Sequence, residues 1–266
     1  VLARKSHKVM KCEIEEFNFE FRCSLYMTNV KLEKLPNIYK LPVEKLVGNM
    51  DYSKIRHSNT KLTEKELKYC ENDCLVVYEY IKRFGFSKKT NVDIVGESSG
   101  IFFEYENYNN LENATSSFGQ GISVTQIQMI RAFSSVINGG TLYKPKITKS
   151  VLMPYTNEVI YEVPTIIDKE NIISKKTSEL MRYALESVVA NGTGRPAYID
   201  GYRVGGKTGT AQKVKDGRYM VGNYIVSFIG FLPADKPEYV VYVAIDYPKG
   251  ITQYGGTVSA PIAKSI

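Results

Sequence analysis

The sequence predicts an α+β fold in which helices precede and follow a run of strands. Three observations lead there. Helical periodicities stand before and after β-rich runs, two of those runs are joined by a short turn, and capping residues punctuate the helices.

The chain has 266 residues, of which 43% are hydrophobic and 24% charged, ordinary proportions for a globular protein. That length suits one large domain or two of ordinary size. The net charge of +7 comes from 35 basic and 28 acidic residues spread along the chain. No basic run is dense enough for a nucleic-acid patch, so the charge speaks to solubility rather than to chemistry. No apolar run approaches the ~20 residues of a membrane span. The opening VLARKSHKVMKCEIEE has no leader-like apolar core, and the closing SAPIAKSI stops inside an apolar-periodic stretch. Both ends are therefore expected to be cut, and the chain as written to stay in the cytoplasm.

All four cysteines (Cys12, Cys23, Cys70 and Cys74) and a single glycine, Gly48, fall in residues 1–83; the other glycines fall in 84–266. This shift divides the chain into 1–83 and 84–266 and suggests two histories. The cysteine spacings do not match a zinc site, so buried free thiols and no metal are expected. The first segment reads as mainly helical. Thr63-Glu64-Lys65-Glu66 forms a capping box, Leu67, Cys70, Cys74, Val77 and Ile81 recur at helical spacing, and Gly85 supplies a stop. A helix over roughly 64–83 follows, with Tyr69 and Asp73 on one face.

In the second segment Thr125 caps QIQMIRAFSSVI, which ends at Asn138-Gly139-Gly140. Thr177–Ala190 carries a stripe of Leu180, Met181, Ala184, Leu185, Val188 and Val189, and Asn191-Gly192-Thr193-Gly194 closes it. Lys207–Gln212 then opens a run of three strands. NYIVSFIGFLP and YVVYVAIDYP are the other two, with Ala234-Asp235-Lys236-Pro237 as the turn between them. Tyr254-Gly255-Gly256 begins a final helix.

In order, FGFSKKT, SFGQGISVTQIQM, NGG…KP, VVANGTG, GGKTGTAQ and YGGTVSAPIA give residues 84–266 a resemblance to the transpeptidase domain of class B penicillin-binding proteins. The resemblance implies a penicillin-binding/β-lactamase-like fold, layered α/β/α with helices packed on an antiparallel sheet and truncated here, and peptidoglycan cross-linking by serine acyl transfer. It implies peptidoglycan stem peptides and β-lactams as partners, and no cofactor. It casts Lys207 as the cation that polarises the proton shuttle and draws the substrate carboxylate. Thr208 and Thr210 would hydrogen-bond that carboxylate, with Gln212 beside them, and the Thr210 N–H would be an oxyanion donor. Gly209 suits a strand that another backbone approaches closely, and the strand edge would pair with the peptide.

The family's nucleophilic Ser-x-x-Lys and its Ser-x-Asn motif should stand upstream of FGFSKKT. The one literal match, Ser58-Asn59-Thr60-Lys61, precedes a capping box instead of opening a buried helix, and His7 and His57 are isolated. The resemblance therefore implies a catalytically incomplete transpeptidase, with a non-catalytic binder of cell-wall peptides or β-lactams as the alternative. The family works outside the membrane on an N-terminal anchor that this sequence does not contain.

The runs FRCSLYMTNVKLEKL and LPVEKLVGNMDYSKIRHSNTKLTEKELKYCENDCLVVYEYI resemble the proofreading exonuclease domain of protein-primed family B DNA polymerases. Tyr69 and Asp73 match its Tyr-x3-Asp motif, which implies a nucleic-acid partner for this remnant alone. Two-metal chemistry needs several carboxylates, and no aspartate precedes Asp51, so no metal site and no exonuclease activity are expected. A chimaera of two partial genes would account for the seam.

Overall fold

The computed structural model describes residues 2–3, 9–14, 19–22, 40, 42, 63–102, 122–215 and 218–266. They belong to two compact units. The first comprises Val1–Arg83 with Phe102–Ile122, the second Phe84–Ile101 with Ser123–Ile266.

In the first unit, β1 (Leu2–Ala3), β2 (Val9–Ile14) and β3 (Phe19–Arg22) form an antiparallel sheet in that order, with Lys11 opposite both Leu2 and Arg22. The sequence reading marked no strands here. Helix α1 (Glu64–Arg83) has the expected limits, starting one residue after Thr63. Val76 and Tyr78 are buried, and the Tyr78 ring stacks on Phe102 at 5.0 Å between centroids. The side chains of Glu66, Tyr69, Cys70, Asp73 and Cys74 lie outside the described residues, as do those of Cys12 and Cys23.

In the second unit Ser123–Thr125 lead into the capping box of α2 (Gln126–Ile137). Thr125 Oγ1 accepts from the Gln128 N–H at 3.3 Å, and Gln128 Oε1 accepts from the Thr125 N–H at 2.9 Å. The same buried Gln128 donates its amide to the carbonyls of Lys88 and Ser99, both at 2.8 Å. One side chain thus caps the helix and holds residues 88–99 beside it. Glu97 closes that loop by accepting from the Thr90 N–H and hydroxyl, both at 2.6 Å.

Asp93 caps the opposite wall, accepting from the N–H groups of Ile147 (2.7 Å) and Thr148 (2.8 Å). These bonds, Ile147 first, hold its carboxyl at about 2, against an ordinary 3.8. A depressed carboxylate pKa contributes stability that is present above the unfolded value and lost as pH falls through the folded one. Asp93→Asn is therefore expected to flatten the acid limb of the melting-temperature profile between pH 4 and pH 2. An unchanged limb would show that the cap contributes nothing.

After α2 come β4 (Leu142–Tyr143), β5 (Ser150–Leu152), β6 (Val159–Glu162) and β7 (Ile167–Lys169), paired β4 with β7 and β5 with β6. Helix α3 (Lys175–Asn191) follows, capped by Ser174, whose hydroxyl accepts from the Thr177 N–H at 3.0 Å. The main sheet is β8 (Gly205–Lys215), β9 (Arg218–Leu232) and β10 (Tyr239–Asp246), antiparallel in the order β10-β9-β8. Helix α4 (Gly255–Ser265) closes the unit.

The layering follows from β9. Phe228 and Phe231 are three residues apart on a strand and so face opposite sides. Phe228 packs with Val189, Ala197, Val204 and Ala260, and Phe231 packs with Ile137, Leu185 and Ala234. Helices therefore cover both faces, as the α/β/α expectation required. Helix α3 reaches both clusters, through Leu185 and Val189 one turn apart.

Candidate functional site

Strand β8 is the terminal strand of the sheet among the described residues, with β9 as its single neighbour. An end strand turns alternate N–H and C=O groups outward. It starts under aromatic cover. A Cβ on Gly206 would lie 2.5 Å from Phe228 Cζ, so the strand can enter only without a side chain there. Just before it, Arg203 grips Glu186 of α3 through two parallel bonds of 2.8 Å, which fixes where the strand begins relative to the helix. The Arg203 guanidinium lowers the Glu186 carboxyl below its usual range.

Lys207, Thr208, Gly209, Thr210 and Gln212 all fall within β8. Lys207 is exposed, sits opposite Ile229, and its ammonium donates to the Thr208 carbonyl oxygen at 2.7 Å. Thr208, Thr210 and Gln212 alternate onto one side, and Lys207 and Gly209 onto the other. The Thr208 hydroxyl lies 3.0 Å from that of Thr193, in the loop that ends α3. Thr210 Oγ1 accepts a long hydrogen bond, 3.4 Å, from the Gly255 N–H at the start of α4.

At Gly209 an added Cβ would meet the Ser227 Oγ at 2.5 Å, a side chain, while the backbone that comes near it is the start of α4. A Cβ on Gly255 would overlap the Ser227 carbonyl oxygen and lie 2.5 Å from that of Gly209. Next along, a Cβ on Gly256 would lie 2.5 Å from the Thr193 carbonyl oxygen. The start of α4 is therefore wedged against the middle of β8 and the loop after α3. Together these elements assemble three threonine hydroxyls and an ammonium at one end strand. Such a group offers hydrogen-bond donors and positive charge to an extended ligand with an anionic end.

Beyond this cluster, Lys213 reaches over β9 to Asp246 on β10 at 2.7 Å. Gln253 accepts from the Tyr224 N–H and donates to the Gly222 carbonyl, both at 3.0 Å, tying the segment before α4 to β9. Thr193 and Gly255 went unmarked as site neighbours in the sequence reading, because VVANGTG and YGGT read there as helix punctuation. Their nearness to Thr208 and Thr210 is tertiary.

Tyr69 and Asp73 lie four residues apart on α1. Ser58, Lys61, His57 and His7 lie outside the described residues. Among the described residues no three His, Cys, Asp or Glu side chains group as metal ligands, and no helix is long and apolar enough to cross a membrane.

Comparison with known proteins gives this arrangement a family. The model of the penicillin binding protein transpeptidase domain matches residues 54–266, so it takes in α1 with Tyr69 and Asp73. Stage V sporulation protein D of Bacillus subtilis is 57% identical over 190 residues, which are 71% of this chain and 29% of that protein. The peptidoglycan D,D-transpeptidase FtsI of Escherichia coli is 37% identical over 186 residues, or 69% of this chain and 29% of that protein. The chain thus spans under a third of the length of both relatives. Among solved structures, penicillin binding protein 3 of Mycobacterium tuberculosis complexed with ampicillin has a TM-score of 0.63 at 28% identity, over 73% of this chain and 46% of that one. The transpeptidase domain of Burkholderia pseudomallei penicillin-binding protein 3 has a TM-score of 0.61 at 26% identity, over 88% and 73%. With its strands, helices and threonine-lined edge in that company, the chain belongs to the penicillin-binding protein transpeptidase family.

Proposed function

We propose that this chain carries the substrate-gripping half of a class B peptidoglycan D,D-transpeptidase site. The observation that carries the reading is the placement of Lys207, Thr208 and Thr210 on an end strand. A peptide ending in D-Ala–D-Ala, or a β-lactam that mimics it, would lie along the outer edge of β8. Its terminal carboxylate would take hydrogen bonds from the Thr208 and Thr210 hydroxyls, and Lys207 would supply the long-range attraction. The Thr210 N–H would face the developing oxyanion. Gln212 extends the same side of the strand for the rest of the peptide. Such binding needs no metal or cofactor.

Acyl transfer needs a nucleophile as well, and no residue of 1–266 supplies one in this reading. Ser58 is not read as that group, since Ser58-Asn59-Thr60-Lys61 stands directly ahead of the capping sequence Thr63-Glu64-Lys65-Glu66 instead of opening an apolar-periodic run. The Tyr69–Asp73 pair likewise brings one carboxylate to chemistry that needs several, so digestion of single-stranded DNA with Mg²⁺ is expected to fail.

A fluorescent penicillin separates the possibilities. It is expected to bind reversibly and to leave no label after denaturation, because only an acylated side chain retains it. Lys207→Met is expected to weaken the reversible binding about three- to tenfold, the loss of a positive charge near the ligand's carboxylate. A stable penicilloyl adduct found by mass spectrometry would overturn the incomplete-site reading. Unchanged affinity in the methionine variant would overturn the role of Lys207.

A further inference from the structure

We propose that Thr193 is a positioning residue for the carboxylate grip, orienting the Thr208 hydroxyl so that its proton points at the substrate. The proposal rests on the reading of Thr208 given above. The two hydroxyl oxygens lie 3.0 Å apart, and either could be the donor. Chemistry decides between them once a ligand is present. A carboxylate only accepts, and a threonine hydroxyl has one proton to give. When Thr208 donates to the carboxylate, its oxygen can only accept from Thr193. The result is a chain, Thr193 O–H to Thr208 O–H to carboxylate, whose bonds polarise one another in the same direction. The Gly255 N–H stands in the matching relation to Thr210, filling an acceptor position and leaving that hydroxyl's proton free to be given outward. Both threonines are thus set as donors, one by a side chain and one by a helix start.

Thr193 can perform this because its backbone is held from two sides. The N–H groups of Gly192 and Gly194 both donate to the Val188 carbonyl, at 3.0 and 3.1 Å, and the Arg195 N–H returns to the Gly192 carbonyl at 3.1 Å. On the other side the Gly256 backbone of α4 comes so near that an added Cβ would lie 2.5 Å from the Thr193 carbonyl oxygen. The side chain itself is exposed, so removing its hydroxyl takes nothing from the core.

The experiment compares binding of two probes to the full 266-residue chain: a peptide ending in D-Ala–D-Ala as the free acid, and the same peptide as its C-terminal amide. The unchanged chain is expected to prefer the acid. Thr193→Val keeps the shape and loses the donor, and should weaken acid binding about three- to tenfold while leaving the amide unchanged. Thr193→Ser should restore the preference. An acid preference that survives in the valine variant overturns the role of Thr193 and leaves the reading of Thr208 standing. Equal losses for acid and amide, or no rescue by serine, also overturn it. No acid preference in the unchanged chain overturns both.

Discussion

Gly140→Ala is expected to destabilise the second unit by about 3–5 kcal/mol, summing a strained backbone and an overpacked contact. Gly140 has φ +95°, a conformation that a side chain makes costly. It also stands where the turn after α2 meets the bend before α3. Its N–H donates to the Ser135 carbonyl at 3.0 Å, and its own carbonyl accepts from the Ile172 N–H at 2.8 Å. An added Cβ would overlap the Ile173 carbonyl oxygen and sit 3.1 Å from that residue's C and N. Ile172 and Ile173 are both buried, so that backbone cannot step aside without opening the interior. Gly139 provides the control. It has φ +93°, yet its Cβ would meet only Lys175 Cγ at 3.7 Å. Gly139→Ala should therefore cost about 1 kcal/mol, the strain alone. Urea titration of both variants measures the difference, and equal midpoints would show that the close packing at Ile173 carries no weight.

The same turn shows how much a sequence discloses. The helix limits were legible because their signals are local. Thr125 with Gln128 makes a box within one turn, Asn138-Gly139-Gly140 ends the helix it opens, and α1 runs from Glu64 to Arg83 as its periodicity requires. The three main strands and the lysine-threonine strand at the sheet's end were legible for a related reason. Long alternating β-rich runs with one short turn between the last two leave few ways to pair. The short ladders β4–β7 and β5–β6 were not, since two to four residues carry no measurable period. The sheet at residues 2–22 was missed similarly, its strands being brief and charged. Within the site, the residues on β8 could be named from one continuous motif. Thr193, Gly255 and Gly256 could not, because each looks like a helix boundary until the fold brings the end of α3, the start of α4 and the middle of β8 together. A punctuation residue and a site residue have the same local appearance. Only the tertiary neighbour tells them apart.

Gly255→Ala tests whether that tertiary neighbour matters for binding as well as for folding. Alanine is a better helix former than glycine, so the local preference at the first residue of α4 predicts a gain. No positive φ opposes it. The packing predicts the reverse. The new methyl would overlap the Ser227 carbonyl oxygen and approach the Gly209 carbonyl at 2.5 Å and its N at 3.1 Å, all of them backbone atoms of paired strands. Neither strand can yield without breaking the ladder, so α4 must lift away from β8. A loss of about 3 kcal/mol is expected, at the upper end of what overpacking costs, and packing wins over propensity. Lifting α4 also withdraws the Gly255 N–H from Thr210 and the Gly256 backbone from Thr193. Thr210 then loses the N–H that sets its proton outward, and Thr193, which sets that of Thr208, loses one of its two supports. The acid-over-amide preference should therefore collapse in this variant under conditions where circular dichroism still shows a folded majority. Full preference in a destabilised Gly255→Ala chain would mean that α4 supports the sheet without shaping what the strand binds. A stabilised variant would mean that α4 does not touch β8 as closely as these distances require.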